Sequence, residues 1–219
     1  MNREIQKLVL VRHGLSSANV DPTLYLRVPD HRIPLADPEA DPACIAAGEH
    51  IRALGLRAEE VCIWYSPYVR CLQTEQLVMR HVFPTAHHGM RRRESFLLRE
   101  QEFGDWDGLS EEEIAARHPG HFEKRKRMAD EYGRFYFRFP NGESRADVVE
   151  RVTLFLGKIQ RSSFPVHVLF LHGVTQRSFR MAWHNYPVDW FEHEPNPANA
   201  SVLLIERDPV SGRWGERYL

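Results

Sequence analysis

The chain has 219 residues, 42% hydrophobic and 27% charged, with a formal net charge of −1. These totals fit one soluble globular domain, residues 1–219, with enough chain to bury a core. They exclude the basic excess of a nucleic-acid or anionic-membrane binder, and no apolar run approaches the roughly 20 residues of a membrane span.

The opening segment, MNREIQKLVLV, has an apolar run too short for a secretory signal and no cleavage site, so a cytoplasmic protein is expected. The three cysteines, Cys44, Cys62 and Cys71, have neither zinc-type nor disulfide-framework spacing and read as reduced thiols. KLVLV at 7–11 reads as a strand buried on both faces. Residues 20–42, rich in Pro and Asp, read as a long loop. Residues 43–56 have helical periodicity, and VCIWY at 61–65 is a second buried strand. Ser66-Pro67 is expected to open the next helix as N-cap and N1. A further strand is expected near 85–89. SEEE at 110–113 is a capping box for a short helix. Residues 118–141 are charged, then aromatic, and show no clean strand. Residues 142–161 form an amphipathic helix. VHVLFL at 166–171 is a third buried strand, with a helix from Thr175 to about Trp183 behind it. Residues 201–206 and 213–219 read as a hairpin around 208–212. Strands alternating with helices predict an α/β fold, a three-layer α/β/α sandwich with a mostly parallel central sheet.

Two of these strands end alike: LVLV runs into Arg12-His13-Gly14, and VLFL into His172-Gly173. Ligands of open α/β sheets bind beyond the carboxyl ends of the strands. If the two strands are neighbours, His13 and His172 lie side by side there, with the fork of donors on Arg12 and the helix N-termini. Such a cluster suits a phosphate, and His13 is placed to attack its phosphorus. A single strand-end histidine is more often structural, so the argument needs further pieces in order.

Those pieces are present. LVLVRHGLSSAN, YSPYVRCLQT, LREQEFGDWDG and LFLHGVTQR together resemble the histidine phosphatase superfamily, which includes the cofactor-dependent phosphoglycerate mutases. GRFYFRFPNGESRADVVERV and FEHEPNPANASV resemble more closely a phosphoglycerate-mutase-like subgroup of plants, fungi and bacteria. The resemblance spans nearly the whole chain. It departs from the family at Leu15, where most members have an acidic residue.

The resemblance implies a fold like that of phosphoglycerate mutase, with a loop and helix insertion at about 105–141 over the site. It implies His13 as nucleophile through a phosphohistidine, Glu100 as proton donor, and Arg12, Arg70 and His172 as catalytic phosphate-binding groups. Asn19, Ser16 and Gly173 complete the implied substrate contacts. Glu102 competes with Glu100, but spacing to Gly104 favours Glu100. Asn19 has a second reading as the cap of a turn. An arginine in the first helical turn, like Arg70, opposes the helix dipole unless an anion meets it. Arg27 and residues of 118–141 are weaker candidates for substrate contact. His87-His88 and Trp190–Glu194 lack metal-ligand spacing, and Arg91–Arg93 and Lys124–Arg127 read as solvated faces. The expected activity is metal-independent, cofactor-free hydrolysis of a small phosphomonoester. A phosphoglycerate mutase is the nearest alternative, and a non-catalytic phospho-ligand binding module the second.

Overall fold

The computed structural model describes residues 4–131 and 133–219. Met1–Arg3 of the opening segment, Tyr132 of the 118–141 segment and the side chain of His88 lie outside that description. In chain order the helices and strands are β1 (Lys7–Arg12), α1 (Ser17–Val20), α2 (Pro42–Ala53), β2 (Val61–Tyr65), α3 (Val69–Val82), β3 (Arg91–Glu94), α4 (Glu111–Arg117), α5 (Pro119–Glu131), α6 (Arg145–Gln160), β4 (Val166–Leu171), α7 (Gly173–His184), α8 (Val188–His193), β5 (Val202–Arg207) and β6 (Trp214–Tyr218).

The strands form a six-stranded sheet in the order β3-β2-β4-β1-β5-β6. The first four are mutually parallel, and β5 and β6 run antiparallel as a terminal hairpin. Period-two alternation sorts side chains to the two faces. Leu8 and Leu10 of β1 join Leu169 and Leu171 of β4 beneath Val152 and Phe155 of α6 and Phe179 of α7. Val9 and Val11 face the other way, with Val168 and Phe170, onto Ile51 of α2 and Leu77 and Val78 of α3. The result is the expected α/β/α sandwich. Each of these side chains is nearly or fully buried, worth about 1.5–3 kcal/mol apiece in transfer free energy. A third, small cluster of Trp106, Ile114, Phe122 and Phe137 gives the 105–141 segment its own core.

Two local expectations are corrected, the strand at 85–89 and the Ser66 cap, and two segments gain detail. The strand expected at 85–89 lies at Arg91–Glu94, after a 3-10 turn at His87–Gly89. It is an edge strand, so its arginines and glutamate stay largely in solvent and carry no apolar pattern. Ser66 does not cap α3, which starts at Val69 with Tyr68 as N-cap. Residues 119–131, polar on most sides, form α5 and bury only Phe122. Within the 20–42 loop, two 3-10 turns form at Pro22–Leu26 and Asp30–Arg32.

Candidate active site

β1 and β4 pair in parallel with Arg12 opposite Leu171. His13 and His172 therefore leave the sheet side by side, their ring centroids 5.2 Å apart. The chain around His13 is held by hydrogen bonds from four directions. The His13 N–H donates to the Leu171 carbonyl at 2.9 Å. The Gly14 N–H donates to Thr74 Oγ1 at 2.9 Å, and that hydroxyl donates to the Arg70 carbonyl at 2.7 Å. The Leu15 N–H donates to Asp41 Oδ2 at 3.0 Å. Asn199 Nδ2 donates to the His13 and Gly14 carbonyls at 3.2 and 3.0 Å. A Cβ at position 14 would lie 2.5 Å from Cys44 Sγ and 2.6 Å from Asp41 Oδ2, so only glycine fits. Asn199 belongs to PNPANAS, which wraps the same loop: Pro197 accepts from Arg12, and Ala200 donates to the His13 carbonyl from a left-handed backbone (φ +54°).

His13 Nδ1 lies 2.8 Å from the Gly14 carbonyl, which can only accept, so the proton sits on Nδ1 and Nε2 keeps its lone pair. Burial, together with the charges of Arg70 and Arg12, holds the His13 pKa well below the usual imidazole value. The ring is thus a neutral base with one bare nitrogen. His172 is fully buried, and burial, Arg70 and His13 depress its pKa likewise. Its Nε2 lies 2.8 Å from Ser66 Oγ and 3.4 Å from Cys71 Sγ. Ser66 therefore serves His172 rather than the helix. Tyr68 stands between, with its ring centroid 4.9 Å from that of His172 and 4.9 Å from the Arg70 guanidinium carbon.

Arg70 does meet an anion in the first turn of α3, and it is internal. Nη1 donates to Asp30 Oδ1 and to the Asp30 carbonyl, both at 2.7 Å, and Nη2 donates to Oδ2 at 3.1 Å. Burial opposes the Arg70 charge, but Asp30 outweighs it and the pKa rises. Among the described residues, the buried guanidinium N–H groups Arg12 Nε and Arg70 Nε at this site have no protein acceptor. Unsatisfied buried donors are costly unless something accepts from them.

Glu100 is pinned at the start of α7. Its Oε2 accepts from the Val174 N–H at 3.3 Å, and its Oε1 from Thr175 N–H at 3.3 Å and Thr175 Oγ1 at 3.2 Å. This corrects the idea that these helix N-terminal donors stand open to phosphate. The backbone bearing Glu100 is clamped by the segment NGESRADVVER: Arg151 Nη2 donates to the Glu100 carbonyl at 3.0 Å, and Glu143 N–H to the Glu102 carbonyl at 2.8 Å. A Cβ at Gly104 would lie 2.0 Å from the Pro140 carbonyl oxygen, and its φ is +59°, so glycine lets the two segments meet. Glu102 instead accepts from the Tyr68 hydroxyl at 3.0 Å and its side chain is half exposed.

The remaining candidates separate. Ser16 and Asn19 form a capping box at α1, with Ser16 Oγ 3.0 Å from Asn19 Oδ1. Ser16 is 1% exposed and spent on that cap. Asn19 also lines the cleft, so it is both cap and cleft residue. Gly173 is packed against Arg12, where an added Cβ would be 3.6 Å from Arg12 Nε. Arg27 turns to Asp21 and Thr23 at the surface. Phe135, Phe137 and Phe139 pack in core clusters, and Tyr136 is exposed. His87 bonds Glu75, and His193 is exposed on α8 beside Asp189.

Together these elements frame a cleft of about 310 Å³ lined by Arg12, His13, Asn19, Arg70 and Glu100 and completed by Tyr25, Asp30, Phe103 and Asp107. Burial first, then Asp30 and Glu102, push the Asp107 carboxyl up to about 6. A larger cleft of about 1050 Å³ lies between the first described residues and the β5–β6 hairpin, and no histidine or cysteine lines it. Sequence reasoning missed Asp30, Tyr68, Thr74, Asp107 and Asn199. Thr74, Tyr68, Asp107 and Asn199 lie within quoted motif stretches, while nothing local marks Asp30.

A strand-end histidine with a bare Nε2 thus faces a second histidine, two arginines and an anchored carboxylate, a set of groups able to bind a phosphoryl group. The family description "histidine phosphatase superfamily (branch 1)" matches residues 8–216, and the chain belongs to that family. Among curated proteins, it is 33% identical to the phosphoglycerate mutase-like protein AT74 of Arabidopsis thaliana over 92% of this chain and 65% of that one. It is 33% identical to the protein AT74H of the same plant, over 92% of this chain and 74% of that one. The broad-range acid phosphatase DET1 of Saccharomyces cerevisiae is 36% identical over 53% of this chain and 34% of its own. The chain thus spans about two thirds of the first of these relatives and one third of the yeast protein. Among solved structures, a putative alpha-ribazole-5'-P phosphatase from Escherichia coli shares the fold with a TM-score of 0.74 at 18% identity, covering 99% of this chain and 96% of that one. A mycobacterial glucosyl-3-phosphoglycerate phosphatase has a TM-score of 0.70 at 25% identity, covering 96% of each chain.

Proposed function

We propose that this chain is a metal-independent phosphomonoesterase of small-molecule substrates that works through phospho-His13. The observation carrying this reading is the His13 Nδ1 bond to the Gly14 carbonyl, which frees Nε2 in a ring that burial keeps neutral. Nε2 attacks phosphorus, the bond from phosphorus to the alcohol oxygen breaks, and Glu100 gives its proton to the departing alkoxide. Glu100, now a carboxylate, takes a proton from water as that water attacks phospho-His13. Inorganic phosphate leaves and His13 is restored. Arg12, Arg70 and His172 meet the phosphoryl oxygens, with Asn19 beside them. The two guanidinium charges answer the phosphate without a divalent ion, His172 adds a neutral hydrogen-bonding ring, and transition-state charge is where such donors count most. Residues 1–219 act as one domain in this reading, and the 105–141 segment supplies the rim.

The phosphatase names of the yeast and mycobacterial relatives support hydrolysis. The phosphoglycerate mutase-like names keep the mutase as the second reading. Against it stands the cleft: among the described residues Arg12 and Arg70 are the cations that line it, this reading assigns both to the phosphoryl group, and neither is left to grip a glycerate carboxylate. Hydrolysis of p-nitrophenyl phosphate in EDTA tests the proposal. Turnover that resists the chelator is expected, and turnover abolished by EDTA and restored by zinc or magnesium would overturn it.

A further inference from the structure

The cleft is asymmetric in charge. Its cations, Arg12 and Arg70, stand at the phosphoryl end beside His13, and the two Nη atoms of Arg70 are already bound to Asp30. Arg70 is nearly fully buried, and among the described residues its Nε has no protein acceptor. The rest of the lining is different. Tyr25 and Phe103 line it with aromatic side chains, Pro22 and Leu109 with apolar surface, and Asp107 with a carboxylate. Among the described residues, Asp107 makes no ion pair. Its neighbour Gly108, with a left-handed backbone (φ +74°), packs so near the Pro22–Leu26 turn that a Cβ there would lie 2.8 Å from Tyr25 Cβ. A carboxylate and aromatic rings converging on one space are the elements that recognise an ammonium group.

We infer that Asp107, with Tyr25 and Phe103, selects phosphomonoesters whose alcohol carries a positive charge, an amino alcohol, and turns away those whose alcohol carries a carboxylate. The inference rests on the phosphatase reading above and adds the substrate class. An ammonium two or three bonds from the ester oxygen meets the Asp107 carboxylate between the rings. A glycerate carboxylate in the same place meets Asp107 and Asp30 and has no cation to answer it. Like and opposite charges at such distances in a partly buried cleft differ by more than tenfold in binding.

The test compares kcat/KM for phosphocholine, glycerol 3-phosphate and 3-phosphoglycerate on the full chain, with p-nitrophenyl phosphate as the measure of basal hydrolysis. Phosphocholine is expected to exceed 3-phosphoglycerate by about tenfold or more, with glycerol 3-phosphate between them. Asp107→Asn should shrink the phosphocholine to 3-phosphoglycerate ratio by about tenfold, mostly through the KM for phosphocholine, and Asp107→Lys should invert it. Ratios are taken within each variant, so a general loss of activity does not imitate the effect. A wild-type enzyme that prefers 3-phosphoglycerate, or a ratio unmoved in both variants, overturns the selectivity while leaving the phosphatase reading intact. Failure to hydrolyse any ester, p-nitrophenyl phosphate included, overturns the phosphatase reading itself.

Discussion

Arg70 gives both of its terminal nitrogens to Asp30, forty residues earlier in the chain, at 2.7 and 3.1 Å. The side chains are 3% and 17% exposed, so this is a largely desolvated pair. It locks the guanidinium plane and leaves Nε as the donor with no protein partner. The carboxylate thus orients the arginine that the phosphoryl group is to meet.

Asp30→Ala is expected to cost about 3–5 kcal/mol of stability, the usual result of stranding one half of a buried pair. It should also lower kcat/KM, because Arg70 loses its orientation. Denaturant melts and steady-state kinetics check both. A rise in turnover would show instead that Asp30 blocks the site.

Thr74 ties the nucleophile loop to α3 through the Gly14 N–H. Thr74→Val keeps the shape and removes the acceptor. Stability should fall by about 1–3 kcal/mol, the cost of an unsatisfied buried donor. kcat should fall with KM little changed, and Thr74→Ser should restore both. Unaltered kcat in the valine variant would mean that the loop holds without this bond.

The buried strands β1, β2 and β4 were legible because unbroken β-branched and leucine runs have few other fates. The strand-end histidines were legible because two such runs end alike. β3 was not, since an edge strand buries little and its RRRE sequence has no apolar pattern. α5 was not, since its sequence is polar almost all round and only Phe122 is buried. Ser66 was misread because a serine before a proline matches an N-cap locally, whereas its partner, His172, lies 106 residues away. Asp30 was invisible for the same reason: its meaning is a contact made by the fold, not by its neighbours.

Three buried histidines predict how stability follows pH. Burial holds His13 and His172 well below the usual imidazole pKa and His167 down to about 4. Below about 6.5 the unfolded chain takes up protons that the folded chain refuses, so unfolding is favoured as pH falls. Each such histidine contributes up to about 1.4 kcal/mol per pH unit until its folded pKa is reached, near 4 for His167. Asp107, raised to about 6, works the other way, as one carboxyl against three imidazoles. Urea melts at pH 7, 6 and 5 should show stability falling stepwise, and a flat or rising profile would contradict this electrostatic picture.

Glu100 and Glu102 are separable by leaving group. The proton donor is needed most when the alcohol is a poor leaving group. Glu100→Gln should lose much more activity on an alkyl phosphate than on p-nitrophenyl phosphate. Glu102→Gln, which removes a partner of the Tyr68 hydroxyl, should show little selectivity. The reverse pattern would move the proton donor to Glu102.

The most direct test of phospho-His13 is to trap it. The full chain is mixed with a phosphorus-32-labelled substrate, quenched in alkali within milliseconds and digested, and the labelled peptide is sequenced. The account predicts label on the peptide containing His13, stable to alkali and lost in acid as a phosphorus–nitrogen bond is. It predicts none in His13→Ala, which should also lose nearly all turnover. Label on another residue, or normal turnover by His13→Ala, would contradict it.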